Sequence, residues 1–96
     1  MKIVVKPDAV TPVSSALLDE ISASIAQRGW GEVKSESNSV ANSKGDLVSS
    51  IIIGLALNVT SNAVYDLIKM LISNAKQAAE ARGQTLPEIT TEEHEE

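Results

Sequence analysis

The only histidine of this 96-residue chain, His94, stands among glutamates, and Glu93-His94-Glu95 has the side chains to hold a metal ion weakly. Metal ligands need a rigid shell behind them, and a polar terminal run supplies none, so the cluster reads as a solvated acidic end. With a single histidine in that position, neither a Ser-His-Asp triad nor a multi-histidine metal site can be built. Asp19 and Glu20 are adjacent on a helix and do not face each other, which rules out cooperation between them as acid and base. Asp66 and Lys69, three apart, read as a surface pair, with pairing to a neighbouring copy as the alternative. Gly45 and Gly54 lack the Gly-x-x-x-x-Gly-Lys-Ser/Thr order that cradles phosphate. There is no cysteine, hence no disulfide, thiolate zinc site or thiol nucleophile. The expectation is a protein with no enzymatic activity, no cofactor and no metal.

The net charge of −5 is unevenly placed. Residues 1–82 carry eight basic residues (Lys2, Lys6, Arg28, Lys34, Lys44, Lys69, Lys76, Arg82) and eight acidic ones (Asp8, Asp19, Glu20, Glu32, Glu36, Asp46, Asp66, Glu80), so all five excess charges lie at Glu88, Glu92, Glu93, Glu95 and Glu96. The body has no basic stripe to track a phosphate backbone, which argues against a nucleic-acid partner. The acidic end, 83–96, is expected to be a disordered tail or linker, and 1–82 a single domain.

Among the elements that would position these residues, Lys2-Ile3-Val4-Val5-Lys6 is a β-branched run ended by Pro7 and predicts a buried first strand. Its apolar stretch is shorter than the ~7–15 residues of a signal peptide, and the chain is expected in the cytoplasm. Thr11-Pro12 opens a helix, since the hydroxyl caps free amides and proline at the first helical position loses no needed donor. Val13, Leu17, Ile21 and Ile25 recur along it, and Gly29 closes it after Arg28. Gly29-Trp30-Gly31 is a tight connection into Glu32-Val33-Lys34-Ser35-Glu36-Ser37, a second strand. Ser37 to Gly45 reads as a polar loop, and Ser43-Lys44-Gly45-Asp46 has capping-box spacing with Asp in the last place.

The run Leu47-Val48-Ser49-Ser50-Ile51-Ile52-Ile53-Gly54-Leu55-Ala56-Leu57 then reads as an aliphatic helix passing into an amphipathic one that ends near Arg82. A single helix over 46–82 would be about 55 Å long, so a break is expected at Asn58-Val59-Thr60-Ser61-Asn62, whose residues favour caps and turns. The expected fold class is α+β: a small two-stranded sheet (β-α-β), then two amphipathic or aliphatic helices and an acidic disordered tail. Leu86 to Thr91, or another copy of the chain, would be the source of any further strand.

A core without phenylalanine, in which Trp30 and Tyr65 are the only aromatics, is short of large side chains. Docking or self-association would add the missing buried area. The expected interaction residues are Ile51, Leu55, Leu67 and Leu71 on the helical face, with Trp30 as an anchor or the open strand edges as the alternative surface. The function expected is a self-assembling or adaptor module whose partners are itself or an effector protein. The alternative is a small membrane-active protein that forms a pore as an oligomer through 47–72, a stretch long enough to span a bilayer but burdened by Asn58, Asn62, Asp66 and Lys69.

The order of these elements, with the Gly29-Trp30-Gly31 turn, the polar loop, Gly45-Asp46-Leu47, the aliphatic run and the break at 58–62, resembles the effector-associated constant component domains of bacterial conflict systems. The resemblance covers about 1–82 and rests on pattern and order. This chain departs from it at the break, which lacks glycine, and after Arg82, where a strand pair would be expected and an acidic run stands. The resemblance implies an adaptor coupled to an enzymatic effector in bacterial defence, with no catalytic residues of its own.

Overall fold

Ile3 and Val5 are fully buried in the first strand, β1 (Lys2–Pro7), while Lys2 and Lys6 are exposed, the period-two pattern of a strand covered on one side. The computed structural model describes residues 1–39 and 46–94. After β1 come α1 (Pro12–Arg28), β2 (Gly31–Ser39), β3 (Asp46–Leu55), α2 (Ser61–Ala81) and β4 (Ile89–His94). The four strands form one antiparallel sheet in the order β2-β3-β1-β4. This is the split β-α-β, or ferredoxin-like, topology.

Both helix starts follow from local chemistry. The Thr11 hydroxyl accepts from the Ser14 amide at 3.1 Å, and the Thr11 amide donates back to the Ser14 hydroxyl at 2.9 Å. Pro12 sits in the first turn, and Gly29 closes α1 in the left-handed conformation at φ 67°. The break expected at 58–62 is present. Thr60 caps α2 by accepting from the Ala63 amide at 3.3 Å. At the other end Gly83, at φ 70°, lets the Gln84 amide reach back to the Ala79 carbonyl at 2.8 Å.

The helices pack on one face of the sheet. Leu17, Leu18, Ile21 and Ile25 from α1 and Val64, Leu67, Ile68 and Leu71 from α2 bury against Ile3, Val5, Ile51 and Ile53. At roughly 1.5–3 kcal/mol for each fully buried aliphatic side chain, this layer supplies the main favourable term of folding.

The α+β class stands as expected, but three of its details do not. Among the described residues the sheet has four strands instead of two. The aliphatic run expected as a helix over 46–57 is β3, because three consecutive isoleucines lose side-chain freedom in a helix and suit a pleated surface. Its burial alternates accordingly: Ile51 and Ile53 are buried, Ile52 only partly. The third correction concerns the acidic disordered tail, where Ile89–His94 forms β4 along the free edge of β1. Edge pairing uses backbone groups, so charged side chains on the open face are no obstacle to it. The described residues form two helices instead of three, and 47–72 is divided among β3, a turn and α2. Among the described residues no helix is long and apolar enough to cross a membrane. Of the polar loop expected over Ser37 to Gly45, the first three residues belong to β2; its remainder, including Ser43-Lys44-Gly45 of the capping box, lies outside the described residues, as do Glu95 and Glu96.

Candidate interaction surface

The helices leave the second face of the sheet uncovered, and the register fixes what that face displays. One row reads Lys34, Ile52, Val4, Glu92 from β2 to β4, each residue paired to the next. A neighbouring row reads Glu32, Gly54, Lys2, His94. On the other side of the first row, Glu36 pairs with Ser50 and Lys6 with Thr90. Val4 and Ile52 thus form a partly buried apolar centre on the two middle strands, and the charged side chains stand mostly around it. A shallow depression over this centre is lined by Val4, Lys6, Glu36, Ser50, Ile52 and Glu92.

Two local contacts order the face. The Ser50 hydroxyl donates to Glu36 Oε2 at 3.2 Å, and His94 Nε2 lies 3.3 Å from Glu92 Oε2 with both side chains about half exposed. The two contacts are separated across the sheet, β3 and β4 being two strand spacings apart, about 9.6 Å. Among the described residues no three His, Asp or Glu side chains are grouped to hold a metal ion. Asp19 and Glu20 are exposed on α1.

Of the residues expected to form the interaction surface, three lie in the core and two, Leu55 and Trp30, are partly exposed. Ile51 is fully buried, and Leu67 and Leu71 are each 6% exposed, so all three face inward between the sheet and α2. Leu55 is partly buried at the end of β3. Trp30 is half-buried where α1 turns into β2: its carbonyl accepts from the Ala56 amide at 2.9 Å, and the Arg28 guanidinium lies 5.2 Å from the ring centroid. Near that end Leu57 is fully exposed. The residues of the open face were missed as a set because only Glu32-x-Lys34-x-Glu36 carries an alternation visible in the sequence, and its partners depend on β3 and β4 being strands.

On the helix-covered side, Tyr65 of α2 is half-buried, and its phenol is pushed above the ordinary value, first by burial and then by the Glu93 carboxylate of β4. No protein-family model matches this chain, and no curated protein matches it.

Proposed function

We propose that this protein is a non-enzymatic interaction module that assembles with itself through the open face of its sheet and serves as an adaptor for an effector in bacterial defence. The observation that carries the reading is the one-sided sheet: four strands carry both helices on one face, and the other presents an apolar centre of Val4 and Ile52 with charged residues around it. A bare face with that centre and rim has the make-up of a protein-binding surface.

Fold alone does not choose among functions, since this topology hosts many. The residues on the face narrow them. Sheets of this kind that bind single-stranded RNA stack bases on aromatic side chains of the central strands, and here Val4 and Ile52 hold those places. The face mixes both signs of charge, as a protein partner would complement, and forms no positive stripe for phosphates. The link to an effector rests only on the sequence pattern of Gly29-Trp30-Gly31, Gly45-Asp46-Leu47 and the break at 58–62, since the element order read with it is changed by β3.

Light scattering of the purified chain after size exclusion, over a concentration series without detergent, tests the reading. A discrete dimer or higher oligomer that grows with concentration is the expected result. A monomer at every concentration removes self-assembly, and dye leakage from liposomes caused by the chain would replace the module with a membrane-active protein.

A further inference from the structure

The geometry points to a specific partner for the open face: a second copy of this chain, packed sheet to sheet about a twofold axis that runs parallel to the strands along the seam between β1 and β3. This rests on the self-assembly reading above and adds which residues meet.

The charges on the face are complementary across that seam. Such an axis lays β2 of one copy over β4 of the other and β3 over β1, and keeps each row over its own counterpart. In the row Lys34, Ile52, Val4, Glu92, every position then meets its complement. Lys34 lies over the partner copy's Glu92, and this pair occurs twice, while Ile52 lies over Val4. In the next row Glu32 lies over His94, which already contacts Glu92 at 3.3 Å. Glu36 lies on the side of Thr90, with no like charge opposite.

An in-plane axis perpendicular to the strands and centred on the same row fails that test. It would set Lys34 over Lys34, Glu92 over Glu92 and Glu32 over Glu36, all like charges, which interfaces avoid. Of the two arrangements centred on the Val4 and Ile52 row, the one about the strand-parallel axis is self-complementary and the other is repulsive.

The dimensions are compatible. Face-to-face sheets pack about 10 Å apart with strands crossing at about 30°, which shifts an edge residue some 7 Å from the axis by roughly 4 Å, within reach of lysine and glutamate side chains. Four strands at about 4.8 Å and about six residues at 3.4 Å give a face of roughly 400 Å² per copy, so the dimer covers on the order of 800 Å² before side-chain relief is counted. That is the size of a weak, reversible association. Lys34 has no ionic partner within the chain among the described residues.

The test uses Lys34→Glu and Glu92→Lys in the full chain, with sedimentation equilibrium as the readout and circular dichroism to verify folding. Within one copy the two positions lie three strand spacings apart, about 14 Å, so they cannot compensate each other there. Each single variant is expected to dimerise about tenfold more weakly than the parent chain, because it places two like-charged pairs at the interface. The double variant is expected to regain the parent affinity. Mixing the two single variants is expected to give a heterodimer, since both contacts between positions 34 and 92 would then set a carboxylate against an ammonium group. A parent chain that stays monomeric overturns both this arrangement and the self-assembly reading. A parent dimer whose affinity ignores the charge exchange overturns the arrangement alone and moves the interface to the free edge of β2 or the Trp30 end.

Discussion

The Ser15 hydroxyl on α1 accepts a hydrogen bond at 3.0 Å from the backbone amide of Val48, 33 residues away on β3. The contact sits where the β2–β3 register slips: Glu36 pairs with Ser50 but Ser37 with Val48, leaving Ser49 as the extra residue. Ser49 donates its hydroxyl to the Glu36 carbonyl at 3.1 Å. The slip returns Val48 to the helix-covered side, where it joins the core, and Ser15 supplies an acceptor for its amide.

Ser15→Ala removes that acceptor and leaves a buried amide unpaired. The expected cost is about 1–3 kcal/mol, read as a lower urea midpoint with an unchanged slope. Ser22→Ala is the control, because its hydroxyl only donates to the Leu18 carbonyl within the same helix. A loss at Ser15 no larger than at Ser22 would mean that the amide finds another partner.

Leu67 and Leu71 separate the core role from the surface role expected of them. Both are buried on the inner face of α2, so Leu67→Ala should cost about 2–5 kcal/mol through lost burial and the cavity left behind. Denaturation at low protein concentration checks this, since a residue acting only at an oligomer interface would leave the monomer's stability unchanged.

Much of the fold is legible in the residues where a single local rule governs. Thr11-Pro12, Gly29 and the break before Ser61 each follow from capping or backbone chemistry, and the structure places helix ends there. The run 47–57 is harder, because an unbroken apolar stretch satisfies a buried strand and a buried helix equally by periodicity. Its length and the three adjacent isoleucines are the features that decide it. At Ile89–His94 composition points the wrong way: glutamates suggest solvated chain, yet a strand whose outer face is bare can carry Glu92 and His94 freely. The open face was illegible for the same reason, since Lys34 and Glu92 are 58 positions apart and come into one row only through the pairing of all four strands.

Gly31 of β2 and Gly54 of β3 lie one register position apart, Gly31 pairing with Leu55 and Gly54 with Glu32, and differ in what they tolerate. A Cβ on Gly31 would overlap the Gly54 carbonyl oxygen, whereas one on Gly54 has nothing nearer than 3.9 Å. Gly31→Ala must therefore push two backbones apart and is expected to destabilise by about 1–3 kcal/mol. Gly54→Ala, where no positive φ is required, is expected to be neutral or to stabilise by up to about 1 kcal/mol by narrowing the unfolded ensemble. Thermal midpoints of the two variants side by side give the comparison, and equal losses would contradict the close approach at Gly31.

The Tyr65 phenol senses the Glu93 carboxylate of β4. Burial first and the Glu93 carboxylate second raise its phenol above the ordinary value, because both disfavour the phenolate. As the chain has one tyrosine, the absorbance of its phenolate can be followed without interference from another. The native titration midpoint is expected above about 10, the ordinary phenol value, and Glu93→Gln should lower it without abolishing the shift, since burial is the larger cause. A proton held more tightly in the folded state stabilises it fully below the unfolded value, and that contribution is lost as pH rises from about 10 through the raised folded value. Urea midpoints should therefore fall over this alkaline window in the parent chain and fall less in Glu93→Gln. If the two chains titrate alike, Glu93 contributes nothing to the raised value and burial alone accounts for it.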